Sequence, residues 1–116
     1  ANEEFIKRIP SNVTLEMVPT DNPMHVSKLL AKKGCNKILW ECGPKLATAA
    51  VKAECIQEFI SFIGPKILGG ENCMTPFSDF GFHDMNQVMN LDLKEFKLFG
   101  GDIYVKSLIN AKLGKK

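Results

Sequence analysis

Residues 38–49, Ile-Leu-Trp-Glu-Cys-Gly-Pro-Lys-Leu-Ala-Thr-Ala, bring together groups suited to holding an anion. An apolar run delivers a carboxylate, Glu41, to a junction where Gly43 permits close approach to the backbone and Pro44 suits the first position of a helix. The amides of such a helix start have no partner inside the helix and lie at the positive end of its dipole, so they attract phosphate. Cys42 sits beside that positive end and is the one cysteine for which a reactive role stays open. The other three, Cys35, Cys55 and Cys73, are widely spread, with no Cys-x-x-Cys, and neither His25 nor His83 lies near a cysteine pair. That spacing speaks against zinc and for reduced thiols buried as small apolar groups. We expect no metal site.

The elements that must position the junction read as strands alternating with helices, followed by strands only. Residues 13–18 alternate apolar and polar at the period of a half-buried strand, stopped by Pro19. Asn22 then caps and Pro23 opens a helix through Lys33, with Val26, Leu29 and Leu30 on one face and Gly34 at the exit. A strand over 37–41 leads into a helix from Pro44 to about Ala53, striped by Leu46, Ala47, Ala50 and Val51. Trp40, on that strand, reads as core rather than as a stacking surface, and both histidines read as surface or packed residues.

Residues 58–63 form a nearly continuous apolar run, the pattern of a strand covered on both faces of a parallel sheet. Gly64-Pro65 ends it, and 66–87 should be an irregular, partly packed connection with several phenylalanines. Residues 88–99 and 103–109 flank Gly100-Gly101-Asp102 as an antiparallel hairpin, and 111–116 should fray. The expected architecture is α/β, a mixed sheet flanked by helices, in one domain spanning 1–116.

Composition narrows the function. Fifteen basic against 13 acidic residues give a net charge of +2, too balanced to predict nucleic-acid binding. No apolar run approaches the roughly 20 residues needed to cross a bilayer, and no charged-then-apolar leader opens the chain, so we read it as cytoplasmic.

Glu41-Cys42-Gly43-Pro44-Lys45-Leu46-Ala47, then Phe62-Ile63-Gly64-Pro65-Lys66-Ile67-Leu68-Gly69-Gly70, then Leu98-Phe99-Gly100-Gly101-Asp102-Ile103, stand in order along the chain. Together they resemble the C-terminal reductase domain of the bifunctional riboflavin-biosynthesis deaminase/reductase, which has a dihydrofolate-reductase-like fold. The resemblance covers the C-terminal half of that domain, so the fold is expected to be incomplete at its N-terminal side. It implies NADPH as cofactor and 5-amino-6-(5-phosphoribosylamino)uracil, a phosphorylated ribosylaminopyrimidine, as substrate, reduced to the ribityl form by hydride transfer to C1 of the sugar. It also implies that Glu41 contacts substrate and that Gly43, Pro44, Lys45, Leu46, Ala47, Thr48 and Ala49 form the cofactor-binding turn and first helical turns. A homodimer is expected, with sheet edges exposed by the missing half pairing between chains. No catalytic residue is assigned. The residues that read the cofactor's 2′-phosphate, and the basic residues that hold the ribose phosphate, are expected outside this chain.

On residue type alone Glu41 serves equally as a capping carboxylate or a ligand contact, and Gly43-Pro44 is also an ordinary strand-to-helix turn. Two positions depart from the family pattern. Cys42 stands where a first glycine is usual, adding a side chain beside the cofactor groove, and Lys45 replaces a small hydroxyl residue and either meets a phosphate or points to water. Two further readings therefore stay open. One is a non-catalytic module, stand-alone or dimerising, and the other an enzyme of the same fold with a different pterin-like or pyrimidine substrate. As an isolated piece the chain is expected to turn over little or no substrate.

Overall fold

The computed structural model describes residues 2–109. A short helix α1 (Glu3–Ile6), too brief to register in the sequence pattern, is capped by the Asn2 side chain, which accepts from the Glu4 amide at 3.1 Å. Helix α2 (Pro23–Lys32) starts as its sequence demands, with Asn22 accepting from the Met24 amide at 3.0 Å and Pro23 in the first turn. It ends where Gly34 takes φ 91°, and the Cys35 amide reaches back to the Leu30 carbonyl at 3.1 Å. Helix α3 (Pro44–Lys52) ends by the same device, the Cys55 amide bonding the Ala50 carbonyl at 2.9 Å, but its left-handed residue is Glu54 at φ 56°.

Three strands follow: β1 (Glu58–Ile63), β2 (Leu91–Phe99) and β3 (Asp102–Ile109), in the order β1-β3-β2 with both pairings antiparallel. The expected hairpin is there. Phe99 pairs with Asp102 across Gly100 and Gly101, whose φ values of 59° and 91° are those of the tight turn that matches strand twist.

Directly opposed residues share a face, so the register sorts the sheet. Leu91, Leu93, Phe96 and Leu98 of β2 lie with Ile103, Val105, Ser107 and Ile109 of β3 and with Phe59, Ser61 and Ile63 of β1. That face is apolar. The opposite face carries the Lys106–Glu58 (3.4 Å) and Lys97–Glu95 (3.1 Å) ion pairs and an aromatic patch in which Phe62 meets Phe99 and Tyr104 at centroid distances of 5.9 and 5.3 Å. A bulge between Leu93 and Glu95 absorbs an extra residue: in a regular strand without it, Phe96 and Leu98 would turn to the charged face.

The core lies where the apolar face meets α3 and the 77–89 connection. Ala50 and Val51 are buried, and Val51, Phe59, Phe77, Phe80, Phe82 and Ile109 are among the residues around a cavity of about 240 Å³. Phe77 packs on Phe59 at 5.1 Å, and Phe80 and Phe82 stack at 5.3 Å. The 66–87 connection is irregular and partly packed as expected, apart from one 3-10 turn at Met85–Gln87 capped by Asp84.

Four expectations need correction. Residues 13–18 and 37–41 are not strands: alternation orients side chains, but a strand also needs a neighbour, and among the described residues no backbone hydrogen bond involves 14–18 or 36–41. Leu15 and Leu39 are exposed, and Trp40 is half-buried. Second, β1 is an edge strand of an antiparallel sheet, not a strand covered twice in a parallel one; Ile60 and Phe62 face outward and are exposed. Third, the buried stripe of α3 is Thr48, Ala50 and Val51, with Leu46 left 40% exposed. Fourth, Cys35, Cys42 and Cys73 are free but exposed, because they sit in connections that nothing covers, and only Cys55 is half-buried. The expected fraying of 111–116 lies outside the described residues.

Candidate active site

The start of α3 is open to a ligand. Gly43 is its cap residue and offers no side chain to the helix amides. Its backbone (φ −71°, ψ 170°) suits any residue, so the glycine supplies room rather than an unusual dihedral. A Cβ built there meets no heavy atom within 4 Å beyond its chain neighbours Cys42 and Pro44. Pro44 has no N–H, and the Ala47 amide is spent on the Gly43 carbonyl at 3.0 Å. Among the described residues, the amides of Lys45 and Leu46 therefore remain as donors without a partner.

Around these amides the expected residues separate. Glu41, Cys42, Gly43, Lys45 and Leu46 are exposed, and Pro44, Ala47 and Ala49 are half-buried. Glu41 does not cap α3: among the described residues its carboxylate accepts no hydrogen bond and joins no ion pair. Thr48 is turned away from solvent, and its hydroxyl accepts from the Ser78 amide at 2.8 Å, with the Ser78 carbonyl 3.5 Å away. That clamp, which fastens the phenylalanine-rich connection to α3, had one sequence signal: Thr48 stands three residues before Val51, on the same helix face.

The second Gly-Pro motif forms an exposed loop after β1. The Lys66 amide bonds the Gly64 carbonyl at 2.8 Å, and Ile67 and Leu68 stand fully in solvent. Gly69 and Gly70 take φ 68° and 113°, and a Cβ on Gly70 would come within 2.8 Å of the Cys73 thiol, which donates to the Gly69 carbonyl at 2.6 Å. Among the described residues no hydrogen bond or ion pair joins this loop to Glu41 or to the start of α3. No group of three or more metal-ligating side chains occurs among the described residues, and no helix among them is long and apolar enough to cross a membrane.

Residues 2–105, which include both Gly-Pro motifs and the turn of the closing hairpin, match the family described as the RibD C-terminal domain. The chain belongs to this family. It is 33% identical over 111 residues to the riboflavin biosynthesis protein PYRR, chloroplastic, of Arabidopsis thaliana, covering 94% of this chain and 18% of that protein. To the riboflavin biosynthesis protein RibD of Synechocystis it is 36% identical over 80 residues, covering 69% of this chain and 22% of the relative. The chain thus spans about a fifth of the length of these relatives. A solved structure of Acinetobacter baumannii RibD superposes with a TM-score of 0.68 over 84% of this chain and 27% of that one, at 23% identity. The expected fold class holds: an α/β domain of the dihydrofolate-reductase-like kind, closed by an antiparallel hairpin.

Proposed function

We propose that this RibD C-terminal domain carries the nucleotide-binding part of a reductase in riboflavin biosynthesis. In that reaction NADPH reduces the ribosyl group of 5-amino-6-(5-phosphoribosylamino)uracil to the ribityl form. The carrying observation is the uncapped start of α3, with two amide donors and space beside Gly43. This arrangement suits a phosphate group, which takes hydrogen bonds from such amides and gains from the helix dipole. When bound, NADPH supplies the hydride that reaches C1 of the sugar.

The chain's own part is binding and alignment. The Lys45 and Leu46 amides hold a phosphate oxygen, and the Lys45 ammonium, exposed and in no ion pair among the described residues, adds charge at the same place. Glu41, exposed and without a hydrogen bond among the described residues, can accept from a substrate hydroxyl. Thr48 acts indirectly, by fixing α3 to Ser78. Cys42, exposed next to Gly43, adds a side chain beside the approach. The same reading makes the protein a cytoplasmic homodimer with no nucleic-acid partner; a tagged full-length protein found in plastids, the compartment in the plant relative's name, would contradict the first part.

The reading is tested by following NADPH oxidation by the full-length protein with the phosphoribosylaminopyrimidine as acceptor. Turnover that depends on this substrate is expected. Full-length, folded protein that oxidises no NADPH would overturn it. The 116-residue chain alone is expected to bind nucleotide weakly and turn over nothing.

A further inference from the structure

A second cavity, of about 340 Å³, lies between the 18–20 segment and α2. Val18, Pro19 and Leu29 give it an apolar floor, and His25, Lys28 and Lys32 stand around it. From this groove we infer that α2 holds a nucleoside phosphate, its flat base on the apolar floor and its phosphate between Lys28 and Lys32.

The charges point that way first. Lys28 and Lys32 are four residues apart on α2, with His25 three before Lys28, so the three side chains share one helix face. Like charges at that spacing repel, and no acidic residue answers them among the described residues. Neighbouring Lys33 shows the contrast, since Glu16 takes it at 2.6 Å. An anion between the two lysines removes the repulsion and gains charge-assisted hydrogen bonds.

The helix start is not the binder here. Asn22 already caps α2 through the Met24 amide, so the anion must be read by side chains. Thr20 adds one donor: its oxygen accepts from the Asn22 amide at 3.0 Å, which leaves the hydroxyl proton for a ligand at the groove it lines.

Size and floor select the rest of the ligand. The volume falls at the low end of the roughly 300–1,000 Å³ typical of small-molecule sites. That is room for one nucleoside phosphate and too little for a whole dinucleotide. A bare phosphate would leave the apolar floor uncovered, whereas a base covers it.

Only the identity of the nucleotide rests on the proposed function, since the adenosine end of NADPH carries such a group as its 2′-phosphate. The test is a titration of the isotope-labelled 116-residue chain with 2′,5′-ADP, followed by backbone amide NMR. Saturable shifts confined to 18–20 and 25–32 are expected, with affinity falling about tenfold or more in Lys28→Ala/Lys32→Ala. The Lys28→Arg/Lys32→Arg variant keeps the charges and should bind within about threefold of the parent. Tight 2′,5′-ADP with weak 5′-AMP assigns the groove to the phosphorylated cofactor, and equal binding assigns it to free nucleoside phosphates; both support the site. Absent shifts, shifts that survive the double alanine variant in a folded spectrum, or equal shifts from inorganic phosphate would overturn it. NADPH added to the same sample separates the two readings: shifts at 43–49 without shifts at α2 sink the groove alone, and the reverse sinks the cofactor site alone.

Discussion

Thr48 shows how one side chain can belong to a site without touching a ligand. Its residue type and place in the motif suggest a cofactor contact, yet it is 5% exposed and satisfies the Ser78 amide. Thr48→Val keeps the shape and strands that half-buried N–H. Stability should fall by about 1–3 kcal/mol in chemical denaturation, while Thr48→Ser should keep most of it; an unchanged midpoint for the valine variant would show that the clamp does not form in solution. The rest of the junction was more legible. Gly43 and Pro44 declare an open helix start in sequence, because one lacks a side chain and the other an N–H, and those absences survive folding unaltered. The burial of Thr48 was less so, since it depends on Ser78, which lies 30 residues away.

Among the elements, α2, α3 and the Gly100-Gly101 hairpin could be read from local signals: Asn22 and Pro23 at a start, Gly34 at an end, two glycines in a turn. These signals work because cap and turn energetics are set within a few residues. The runs at 13–18 and 37–41 failed as strands because a ladder is a property of two segments, and periodicity names only one. The same limit hid the antiparallel setting of β1. The phase change between Leu91, Leu93 and Phe96, Leu98, by contrast, was a bulge written in the sequence, once the register is known. The end of α3 carries an element-scale prediction. Glu54 occupies a left-handed conformation that Gly34 fills in α2, and a non-glycine there carries strain. Glu54→Gly should stabilise the protein by about 0.5–1 kcal/mol, read as a higher midpoint in thermal melts; a lower midpoint would mean that the Glu54 side chain does more than end a helix.

At the scale of the molecule, accessible surface is the informative quantity. The chain exposes 9821 Å², against roughly 6,300 Å² for a folded monomer of this mass by the usual scaling. Exposed apolar side chains contribute to it: Leu93, Phe96 and Leu98 on the apolar sheet face, and Ile67 and Leu68 in the loop after β1. Both β1 and β2 also present free edges among the described residues. Surfaces of this kind associate. The 116-residue chain should therefore sediment as a dimer or larger species, and Phe96→Glu with Leu98→Glu should shift it to monomer. Monomeric sedimentation of the unaltered chain across the accessible concentration range would contradict this.

The claim on which the account turns is that the bare start of α3 is kept open for a phosphate, and Gly43→Asp tests it most directly. An aspartate there caps the helix, and its Cβ meets nothing within 4 Å beyond its chain neighbours. Helix stability should hold or rise by about 0.5 kcal/mol. The same carboxylate occupies the two amides and repels phosphate, so NADPH affinity of the full-length protein, measured by calorimetric titration, should fall about tenfold or more. A variant that folds as well as the parent and binds NADPH equally tightly would contradict the account.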